Sequence, residues 1–461
     1  MISVRRIDTT SLGDRSYVAT DGDVAVVIDP QRDIDRVLGL TTELRVRITH
    51  VAETHIHNDY VTGGLQLARE AAAEYIVAAA DDVSFARRGV GDGDLIEAGG
   101  MRLRVVHTPG HTFTHVSYVL EDDAGGVAGV FTGGSVLFGS TGRTDLLGAR
   151  HAESLARRQF ASAHRLAREL PDRTPVYPTH GFGSFCSSAP ADGRASSTLA
   201  REALVNPVFV QDESRYVTEL LAGLTPYPAY YAHMARLNRR GPSPVDLRLP
   251  QPEGPADLLR RLAQGEWVVD VRDRSAFAAG HLPGALNFGL DSGFASHLGW
   301  LVPWGTPVSL LGETASDVAA AQRELVRIGI DRPAAVAIAG GDLWGGDEMV
   351  VSYRRVTFAD LARVTAREAS PYVLDVRRSE ERAGGAVDGS VHLPLHELPE
   401  RVDEIPADRP VWVHCRVGYR ASIAVSLLAR AGRDVVLIDD DTANIVEYGV
   451  TTDCLGHRRG A

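Results

Sequence analysis

The chain has 461 residues, a length that suggests about three domains. Its hydrophobic content of 44% is ordinary for globular proteins, and its net charge of −12 includes no basic run, so neither nucleic acid nor an anionic membrane is expected as a partner. Three widely separated cysteines indicate a reducing compartment, and we expect a cytoplasmic location. No apolar stretch approaches about 18 residues, so no membrane span is expected.

Predicted strands and helices alternate over residues 1 to about 185. The strands are predicted at 24–29, 46–51, 103–107 and 115–120, and the helices at 65–73 and 153–170. Residues 196 to about 240 are predicted to be mostly helical. They lead into a linker at 241–244 that contains one glycine and two prolines, and the first domain is predicted to span residues 1–240.

Three histidine motifs follow predicted strands in this region. The first comes after the strand at 46–51, the second after the strand at 103–107, and the third after a short strand at 175–177. Histidine and aspartate at alternate positions of a strand-end loop have the spacing of metal ligands. The sequence therefore predicts a metal site with five candidate ligands: His55, His57, Asp59, His111 and His180.

These motifs, together with segments 130–133 and 142–146, resemble those of the metallo-β-lactamase superfamily, and more narrowly its persulfide dioxygenase and hydroxyacylglutathione hydrolase branch. The resemblance covers about residues 10–185 and implies an αββα sandwich. It also implies a mononuclear iron site in which two histidines and an aspartate form a facial triad suited to O₂. His55 and His111 match the two histidines of that triad.

The sequence departs from the family pattern at two positions. Tyr60 replaces the last histidine of the first motif, which disfavours a second metal ion, and Gly134 replaces the aspartate of the triad. Asp59 or His57, together with His180, would have to complete the site. At most one ion is expected. Fe(II) follows from the resemblance, Zn²⁺ suits a histidine-rich site equally well, and a metal-free domain is the third alternative. Gly134→Asp is expected to restore iron binding if the other ligands are in place.

Two further residues of this region are candidates for binding the substrate. Arg143 could hold a substrate carboxylate, because its planar fork suits bidentate recognition, and an internal salt bridge with Asp145 is the alternative. Cys186 follows the third histidine motif closely and would accept a persulfide if its loop borders the metal cleft. A free loop cysteine is the alternative for Cys186, and no function is expected for Cys454.

An internal repeat occupies the rest of the chain. Strands with a shared Asp-Val-Arg sequence occur at 267–272 and 372–377, and a glycine-containing return segment follows each. In a second matched pair of strands, Gly312 stands where the other copy has Cys415. We define the first repeat as residues 246–345, which we expect to be catalytically inactive, and the second repeat as residues 354–461.

The second repeat contains the most informative motif of the chain. Cys415 ends an apolar strand, and a loop with Arg416, Gly418 and Arg420 leads into a helical pattern at 422–431. Backbone N–H groups at a helix N-terminus stabilise a thiolate or a persulfide anion, and the arginines would steer an anionic donor. This Cys-x-x-Gly-x-Arg sequence resembles the active-site loop of the rhodanese family of sulfurtransferases. We therefore predict that these four residues are catalytic.

Asp375 and Arg377 lie at the end of the neighbouring predicted strand. We group them with the substrate-binding residues and expect them to brace the cysteine loop. A strand-end ion pair with a purely structural role is the alternative for both residues.

Together, these resemblances imply a multidomain α/β and α+β chain, in which an αββα metallo-β-lactamase sandwich is followed by two α/β rhodanese domains. They also imply an enzyme of sulfide and persulfide metabolism. Such an enzyme would oxidise a low-molecular-weight persulfide at a mononuclear metal site and transfer sulfane sulfur through a Cys415 persulfide. The expected partners are glutathione-type or other low-molecular-weight thiols and persulfides, with thiosulfate or sulfite, and the chain could form a homo-oligomer.

Two alternatives to this function follow from the same residues. In the first, the chain is only a sulfurtransferase, and its metallo-β-lactamase-like domain is a metal-free scaffold. In the second, the chain is a glutathione thioester hydrolase of the glyoxalase type. Such a hydrolase usually places its hydroxide between two metal ions, so Tyr60 and Gly134 count against it.

Overall fold

The computed structural model describes residues 2–190, 193–291, 293–339, 350–366 and 371–451. The chain divides into two compact units. The first unit comprises Met1–Asp246 with Arg323–Asp331, and the second comprises Leu247–Gln322 with Arg332–Ala461. The boundary at Asp246 lies close to the predicted linker, whereas Arg323–Asp331 comes from within the first repeat. The predicted domain bounds stay a prediction. Within the described residues, no helix is long and apolar enough to cross a membrane.

The strands of the first unit are β1 (Ser3–Thr9), β2 (Asp14–Thr20), β3 (Val24–Ile28), β4 (Arg47–Ala52), β5 (Glu74–Ala78), β6 (Arg88–Val90), β7 (Leu95–Ala98), β8 (Met101–His107), β9 (Val116–Asp122), β10 (Val127–Gly133), β11 (Pro175–Pro178) and β12 (Ser197–Thr198). Its helices are α1 (Asp35–Leu44), α2 (Gly64–Glu70), α3 (Ala149–Glu169), α4 (Leu199–Val205), α5 (Pro207–Val210), α6 (Glu213–Ala222) and α7 (Tyr231–Arg240). The predicted helix at 153–170 corresponds to α3.

These strands form two six-stranded sheets, with the orders β1-β2-β3-β4-β5-β6 and β12-β11-β10-β9-β8-β7. Side chains from both sheets, among them Ile28 and Phe131, form one buried cluster between them. A second cluster joins the first sheet to α1 and α2 through residues such as Val37 and Leu67. A third joins the other sheet to α3 and α6. The unit is therefore the αββα sandwich that the resemblance implied.

The strands of the second unit are β13 (Trp267–Asp270), β14 (Leu286–Asn287), β15 (Val308–Gly312), β16 (Val336–Ile338), β17 (Arg354–Val356), β18 (Tyr372–Asp375), β19 (Val391–His392), β20 (Val411–His414) and β21 (Val435–Ile438). The helices from residue 247 onward are α8 (Pro255–Ala263), α9 (Arg274–Ala279), α10 (Phe294–Leu301), α11 (Ala315–Arg327), α12 (Phe358–Thr365), α13 (Ser379–Arg382), α14 (Leu398–Arg401), α15 (Tyr419–Arg430) and α16 (Asn444–Glu447). The 3₁₀ helices are Leu395–Glu397 and Val402–Glu404.

The two repeats have the same sheet topology. The first has the strand order β14-β13-β15-β16, and the second has β19-β18-β20-β21 with β17 added at the edge. All these pairings are parallel, and β15 and β20 are buried along their whole length, as expected for sheets covered on both faces. Leu311 pairs with Asp270, as His414 pairs with Asp375. The next residue, Gly312, is therefore the structural equivalent of Cys415, as the sequence alignment predicted.

Candidate functional site

Three histidines of the first unit come together where β4, β8 and β11 end. The ring centroids of His55 and His111 are 4.8 Å apart, and the ring of His180 lies 5.3 Å from each. All three side chains are buried. Because the three strands end near one another, motifs that are far apart in sequence contribute to one cluster.

One ring nitrogen of His55 and of His111 is already occupied by a protein partner, as is usual for metal-ligating histidines. Nδ1 of His55 lies 2.9 Å from the hydroxyl of Thr54, and Nδ1 of His111 donates to the carbonyl oxygen of Arg143 at 2.7 Å. Nε2 of His111 is buried and has no hydrogen-bond partner among the described residues. Burial and the nearby charge of His180 lower the pKa of His111 to about 3, so this unpaired nitrogen is a free acceptor.

His180 is oriented by two carboxylates. Its Nδ1 lies 2.8 Å from Asp14 and 3.1 Å from Asp59. Burial opposes a charge on this ring, but Asp59 and Asp14 outweigh burial and raise the pKa of His180 to about 10. Nε2 of His180 is 3.4 Å from Nε2 of His55. Two nitrogens bound to one tetrahedral zinc ion at about 2.0–2.1 Å are separated by about 3.3–3.4 Å, so the distance suits a shared ion. It suits equally a hydrogen bond donated by protonated His180.

His57 has different surroundings from the other three histidines. Its Nε2 lies 2.9 Å from the hydroxyl of Tyr60 and 3.3 Å from a carboxylate oxygen of both Asp29 and Glu53. Burial opposes protonation, but Asp29 and Glu53 raise the pKa of His57 to about 9. Only Nδ1, which is buried and unpaired among the described residues, is left for an ion. The hydroxyl of Tyr60 and the two carboxylates therefore occupy the Nε2 side of His57.

The position of the missing aspartate is closed. A Cβ atom on Gly134 would lie 2.4 Å from Cδ2 and 2.6 Å from Cγ of His111. The backbone N–H of Gly134 donates to Nε2 of His115 at 3.0 Å, and the ring of His115 stacks on His55 with centroids 5.0 Å apart. The expectation that Gly134→Asp would restore an iron ligand is therefore corrected, because any side chain at position 134 must first displace His111.

The residues present fit a histidine-rich metal site, and they do not fit a triad with a carboxylate at position 134. Candidate ligand atoms lie within 4.8 Å of one another in four groups: His55, His57 and His180; His111, His180 and Cys186; Asp14, Asp59 and His180; Asp29, Glu53 and His57. The cluster supports a metal ion, and it does not discriminate Fe(II) from Zn²⁺.

Cys186 and Arg143 lie next to this cluster. The thiol of Cys186 is buried, and burial together with Asp59 raises its pKa well above the ordinary value. The guanidinium of Arg143 donates to both carboxylate oxygens of Asp145 at 2.7 Å, which is the internal salt bridge considered as an alternative. The backbone of Arg143 contacts the site directly: its N–H donates to the carbonyl oxygen of Cys186, and its own carbonyl oxygen accepts from His111. Cys454 lies outside the described residues.

In the second unit, Cys415 directly follows β20 and is buried. The loop ends at Gly418, whose φ of +89° caps α15 in the left-handed region that favours glycine. The helix begins three residues earlier than predicted, so Arg420 lies in its first turn instead of the loop. The guanidinium of Arg420 contacts both carboxylate oxygens of Glu381 at 2.6 Å, whereas Arg416 is exposed.

Asp375 and Arg377 form a strand-end ion pair with a distance of 2.7 Å. Burial opposes the charge of Asp375, but hydrogen bonds from Arg377 lower its pKa to about 2. The first repeat has the same pair, Asp270 and Arg272, at 2.6 Å, although it has no cysteine. Because the copy without a cysteine retains the pair, a structural role in bracing the strand end is sufficient to explain it. A role in substrate binding stays a prediction.

Comparisons with known proteins agree with this architecture. Residues 13–180 match the metallo-beta-lactamase superfamily. Residues 254–344 and 359–447 each match the rhodanese-like domain family. The human mitochondrial persulfide dioxygenase ETHE1 is 30% identical over 201 residues, which are 43% of this chain and 70% of that protein. The chain belongs to the metallo-beta-lactamase superfamily.

Two other proteins are similar to this superfamily member. A hydroxyacylglutathione hydrolase from Photobacterium profundum is 31% identical over 221 residues, covering 43% of this chain and 81% of that enzyme. The crystal structure of a metallo-beta-lactamase from Staphylococcus aureus has a TM-score of 0.66 and 28% identity, and it covers 73% of this chain and 99% of that one. The predicted fusion of a metallo-β-lactamase domain with two rhodanese-like domains is thus confirmed.

Several residues of the cluster were missed in the sequence. His115 carries a signal, since it lies four residues after His111 and begins a predicted strand. Asp29 also carries one, because it ends a predicted strand as the histidines do, and its carboxylate accepts from the backbone N–H of Thr54 at 2.7 Å. Asp14 has no comparable signal, and only its packing against His180 shows its role.

Proposed function

We propose that this protein is an enzyme of sulfide and persulfide metabolism that transfers sulfane sulfur through Cys415. The observation that carries the proposal is the position of Cys415, buried at the end of β20 and joined by a three-residue loop to the N-terminus of α15. The matches to rhodanese-like domains and to persulfide dioxygenases support a general role in sulfur metabolism. The helix N-terminus favours an anionic sulfur at this position.

The transfer takes place in two half-reactions. The Cys415 thiolate attacks the outer sulfur of thiosulfate, the S–S bond breaks, and sulfite leaves with the bonding electron pair. An acceptor such as cyanide then attacks the outer sulfur of the Cys415 persulfide, which releases thiocyanate and regenerates the thiolate. In both states, backbone N–H groups of the loop and of α15 stabilise the negative charge on sulfur.

For the metallo-β-lactamase domain, we propose one metal ion held by His55, His111 and His180, whose ring centroids lie 4.8–5.3 Å apart. Cys186, which groups with His111 and His180, is the fourth candidate ligand. Bound there, the ion would supply the redox or Lewis-acid chemistry for oxidising a low-molecular-weight persulfide. The protein contributes the orientation of the ligands, since Asp14 and Asp59 fix the ring of His180. The likeness to human persulfide dioxygenase ETHE1 supports this substrate class.

The transfer is tested with Cys415→Ser in the full chain. The nearly isosteric change should abolish thiosulfate:cyanide transfer while leaving the thermal unfolding midpoint unchanged. After thiosulfate treatment, the wild-type peptide containing Cys415 should gain the mass of one sulfur atom. Cys186→Ser is the matched control, because it removes a buried thiol of the other unit and should retain the transfer. Transfer by Cys415→Ser above a few per cent of the wild-type rate would contradict the proposal.

The metal site is tested by elemental analysis of protein purified without oxygen. At most one ion per chain is expected, and its content should fall in His55→Ala and in His111→Ala, while His107→Ala is the control on a neighbouring, half-buried histidine. Two ions per chain, or one ion that both substitutions leave in place, would contradict the site.

A sulfurtransferase with a metal-free scaffold domain is the second candidate function. The closed position at Gly134 and the hydrogen-bonded His115 favour it, since the family's carboxylate ligand is absent and has no space. Protein without metal but with full Cys415 transfer would establish this alternative. Thioester hydrolysis is a further alternative, because the chain is similar to hydroxyacylglutathione hydrolase. Turnover of a glutathione thioester would support this alternative.

A further inference from the structure

The first repeat, which has no cysteine, contacts the active-site loop of the second. Arg274 is the first residue of α9, and its Nε donates to Oδ1 of Asp439 at 2.6 Å. A Cβ atom on Gly418 would lie 2.1 Å from that same oxygen and 3.0 Å from Nε of Arg274. Gly418 is only three residues after Cys415. The guanidinium of Arg274 therefore lies directly against the loop that presents the cysteine.

Two further contacts hold the first repeat against α15. The hydroxyl of Tyr419 donates to the carbonyl oxygen of Gly289 at 3.1 Å, and the backbone N–H of Asn287 donates to the hydroxyl of Ser426 at 3.1 Å. Asn287 and Ser426 are fully buried or nearly so. Buried hydrogen bonds of this kind leave little freedom for the two repeats to shift, so the position of Arg274 is well determined.

The charges around the loop single out Arg274. Asp439 also accepts from Arg355 at 3.0 Å through its other oxygen, so two guanidiniums share this carboxylate, and the carboxylate of Asp273 interacts electrostatically with both of them. Arg420, by contrast, is matched by the carboxylate of Glu381. Burial lowers the pKa of Arg274, but Asp439, then Asp273 and, more weakly, Cys415 raise it above its ordinary value.

Arg274 also has donors to offer. Among the described residues its hydrogen bond to Asp439 uses Nε, and its side chain is 33% exposed. The two terminal nitrogens of a guanidinium form a planar fork that matches an oxyanion such as a sulfonate group. A thiosulfate ion whose outer sulfur meets Cys415 carries three such oxygens on its other sulfur.

We propose that Arg274 is an anion-binding residue of the Cys415 site, supplied by the repeat that lacks a cysteine. It binds the oxyanion end of an anionic sulfane-sulfur donor of the thiosulfate class. This inference deepens the proposed transferase function and rests on it. It also assigns the first repeat a role that needs no nucleophile.

The test compares Arg274→Gln with Arg355→Gln in the full chain. Each change removes one arginine that is paired with Asp439. Arg274 contacts Oδ1 of Asp439, whereas Arg355 contacts Oδ2 and is 48% exposed. Alkylation of Cys415 by anionic iodoacetate and by neutral iodoacetamide is followed on the peptide containing Cys415 by mass spectrometry. The iodoacetate-to-iodoacetamide rate ratio should fall about three- to tenfold in Arg274→Gln, as expected for one lost charge near the sulfur, and less than about twofold in Arg355→Gln.

A kinetic comparison separates binding from structure. Arg274→Gln should raise the KM for thiosulfate more than it lowers kcat. The KM of Arg274→Lys should lie between those of the wild type and Arg274→Gln, because lysine restores the charge without the planar fork. An unchanged alkylation ratio in Arg274→Gln, or an equal fall in Arg355→Gln, would overturn the inference. So would an equal slowing of both reagents, which indicates a structural role. The alkylation ratio does not require sulfur transfer, so it stands or falls separately from the proposed function.

Discussion

At the residue scale, one substitution relative to the family pattern reshapes the metal cluster. Gly134 leaves space that the ring of His111 occupies, and the N–H of Gly134 donates to His115, a residue that is itself fully buried. The cluster thereby lacks a carboxylate at position 134, and the acceptor of the Gly134 N–H is a neutral ring, since burial and the other histidines hold the pKa of His115 well below its ordinary value. The neutral nitrogens of His55 and His111 suit Zn²⁺ and Fe(II) alike.

The tight packing at Gly134 can be measured with the smallest side chain. Gly134→Ala should lower the stability of the protein by about 1–3 kcal/mol, because its Cβ overlaps the ring of His111. Gly39→Ala is the matched control: Gly39 is an exposed residue in α1 with no atom within 4 Å of its Cβ position, and alanine should stabilise the helix there by up to about 1 kcal/mol. Urea unfolding curves distinguish the two, and equal stability of the Gly134 variant would show that the ring moves freely.

A pH-dependent contribution is expected from Glu381. Burial opposes its charge, but Arg420 lowers the pKa of Glu381 from 4.5 to about 2. A carboxyl group with a lowered pKa in the folded state stabilises the fold fully above its ordinary pKa, and this contribution is lost as pH falls from about 4.5 to about 2. Glu381→Gln should therefore destabilise the second unit at neutral pH by about 1–3 kcal/mol, and the difference from wild type should vanish near pH 2.

Urea unfolding at a series of pH values measures this effect. Glu380→Gln is the control, because the exposed pair of Glu380 with Arg378 is worth at most about 1 kcal/mol. A constant difference between wild type and Glu381→Gln across this pH range would rule out the assigned ion pair.

At the element scale, α7 supports the first histidine motif through one side chain. Asn238 is buried, and its amide donates to the carbonyl oxygens of His57 and Tyr60 at 2.9 Å each. Its own oxygen accepts from the N–H of Thr62 at 3.0 Å. The loop after β4 thus gains three hydrogen bonds from a helix about 180 residues later in the chain, which explains how a loop without regular structure is held in place.

Asn238→Asp tests this support with almost no change of shape. It replaces both N–H donors by an oxygen that faces two carbonyl groups, so we expect a loss of about 2–3 kcal/mol in unfolding free energy. Bound metal should be held about 10–100-fold more weakly, as found for residues that orient metal ligands. Chelator competition and thermal unfolding measure the two effects. Arg236→Gln, an exposed change on the same helix, should alter neither, and an Asn238→Asp protein with wild-type stability would contradict the role of α7.

At the scale of the whole molecule, the two reactions that we propose match, because the product of the first is a substrate of the second. Persulfide oxidation yields sulfite, and sulfite attacking a Cys415 persulfide forms thiosulfate while the cysteine leaves as thiolate. Covalent linkage raises the effective concentration of one site near another, often to the millimolar range. If both proposed activities are present, the full chain releases thiosulfate where the first domain alone would release sulfite.

This coupling predicts a shift in product. Supplied with a glutathione persulfide and oxygen, the wild-type protein should release mainly thiosulfate, whereas Cys415→Ser should release sulfite at a similar rate of oxygen consumption. Ion chromatography separates the two products. Arg355→Gln serves as the control with an intact cysteine. Thiosulfate from Cys415→Ser in undiminished amount would refute the coupling, and the absence of oxygen consumption in every variant would favour the metal-free alternative.

The sequence by itself determined the architecture and the positions of the main candidate residues. Histidine motifs after strands, a repeated Asp-Val-Arg strand and Cys415 before a glycine-containing loop are local patterns, and local patterns can be read without knowing how the chain packs. For the same reason, Gly312 could be aligned with Cys415 before any strand register was known. The predicted start of α15 was three residues too late because the helix begins directly after Gly418, whose left-handed backbone is not visible in the apolar pattern.

Only the tertiary structure decided which atoms these residues have available. The partners of His180 and His57 are carboxylates from β2, the end of β3 and the first motif itself, and the closure of position 134 depends on where one ring lies. Arg274 and Asp439 are 165 residues apart, and such a contact leaves no periodic trace in either segment. Burial and distance between remote segments set the pKa values and the free donors here, and these quantities exist only once the chain has folded.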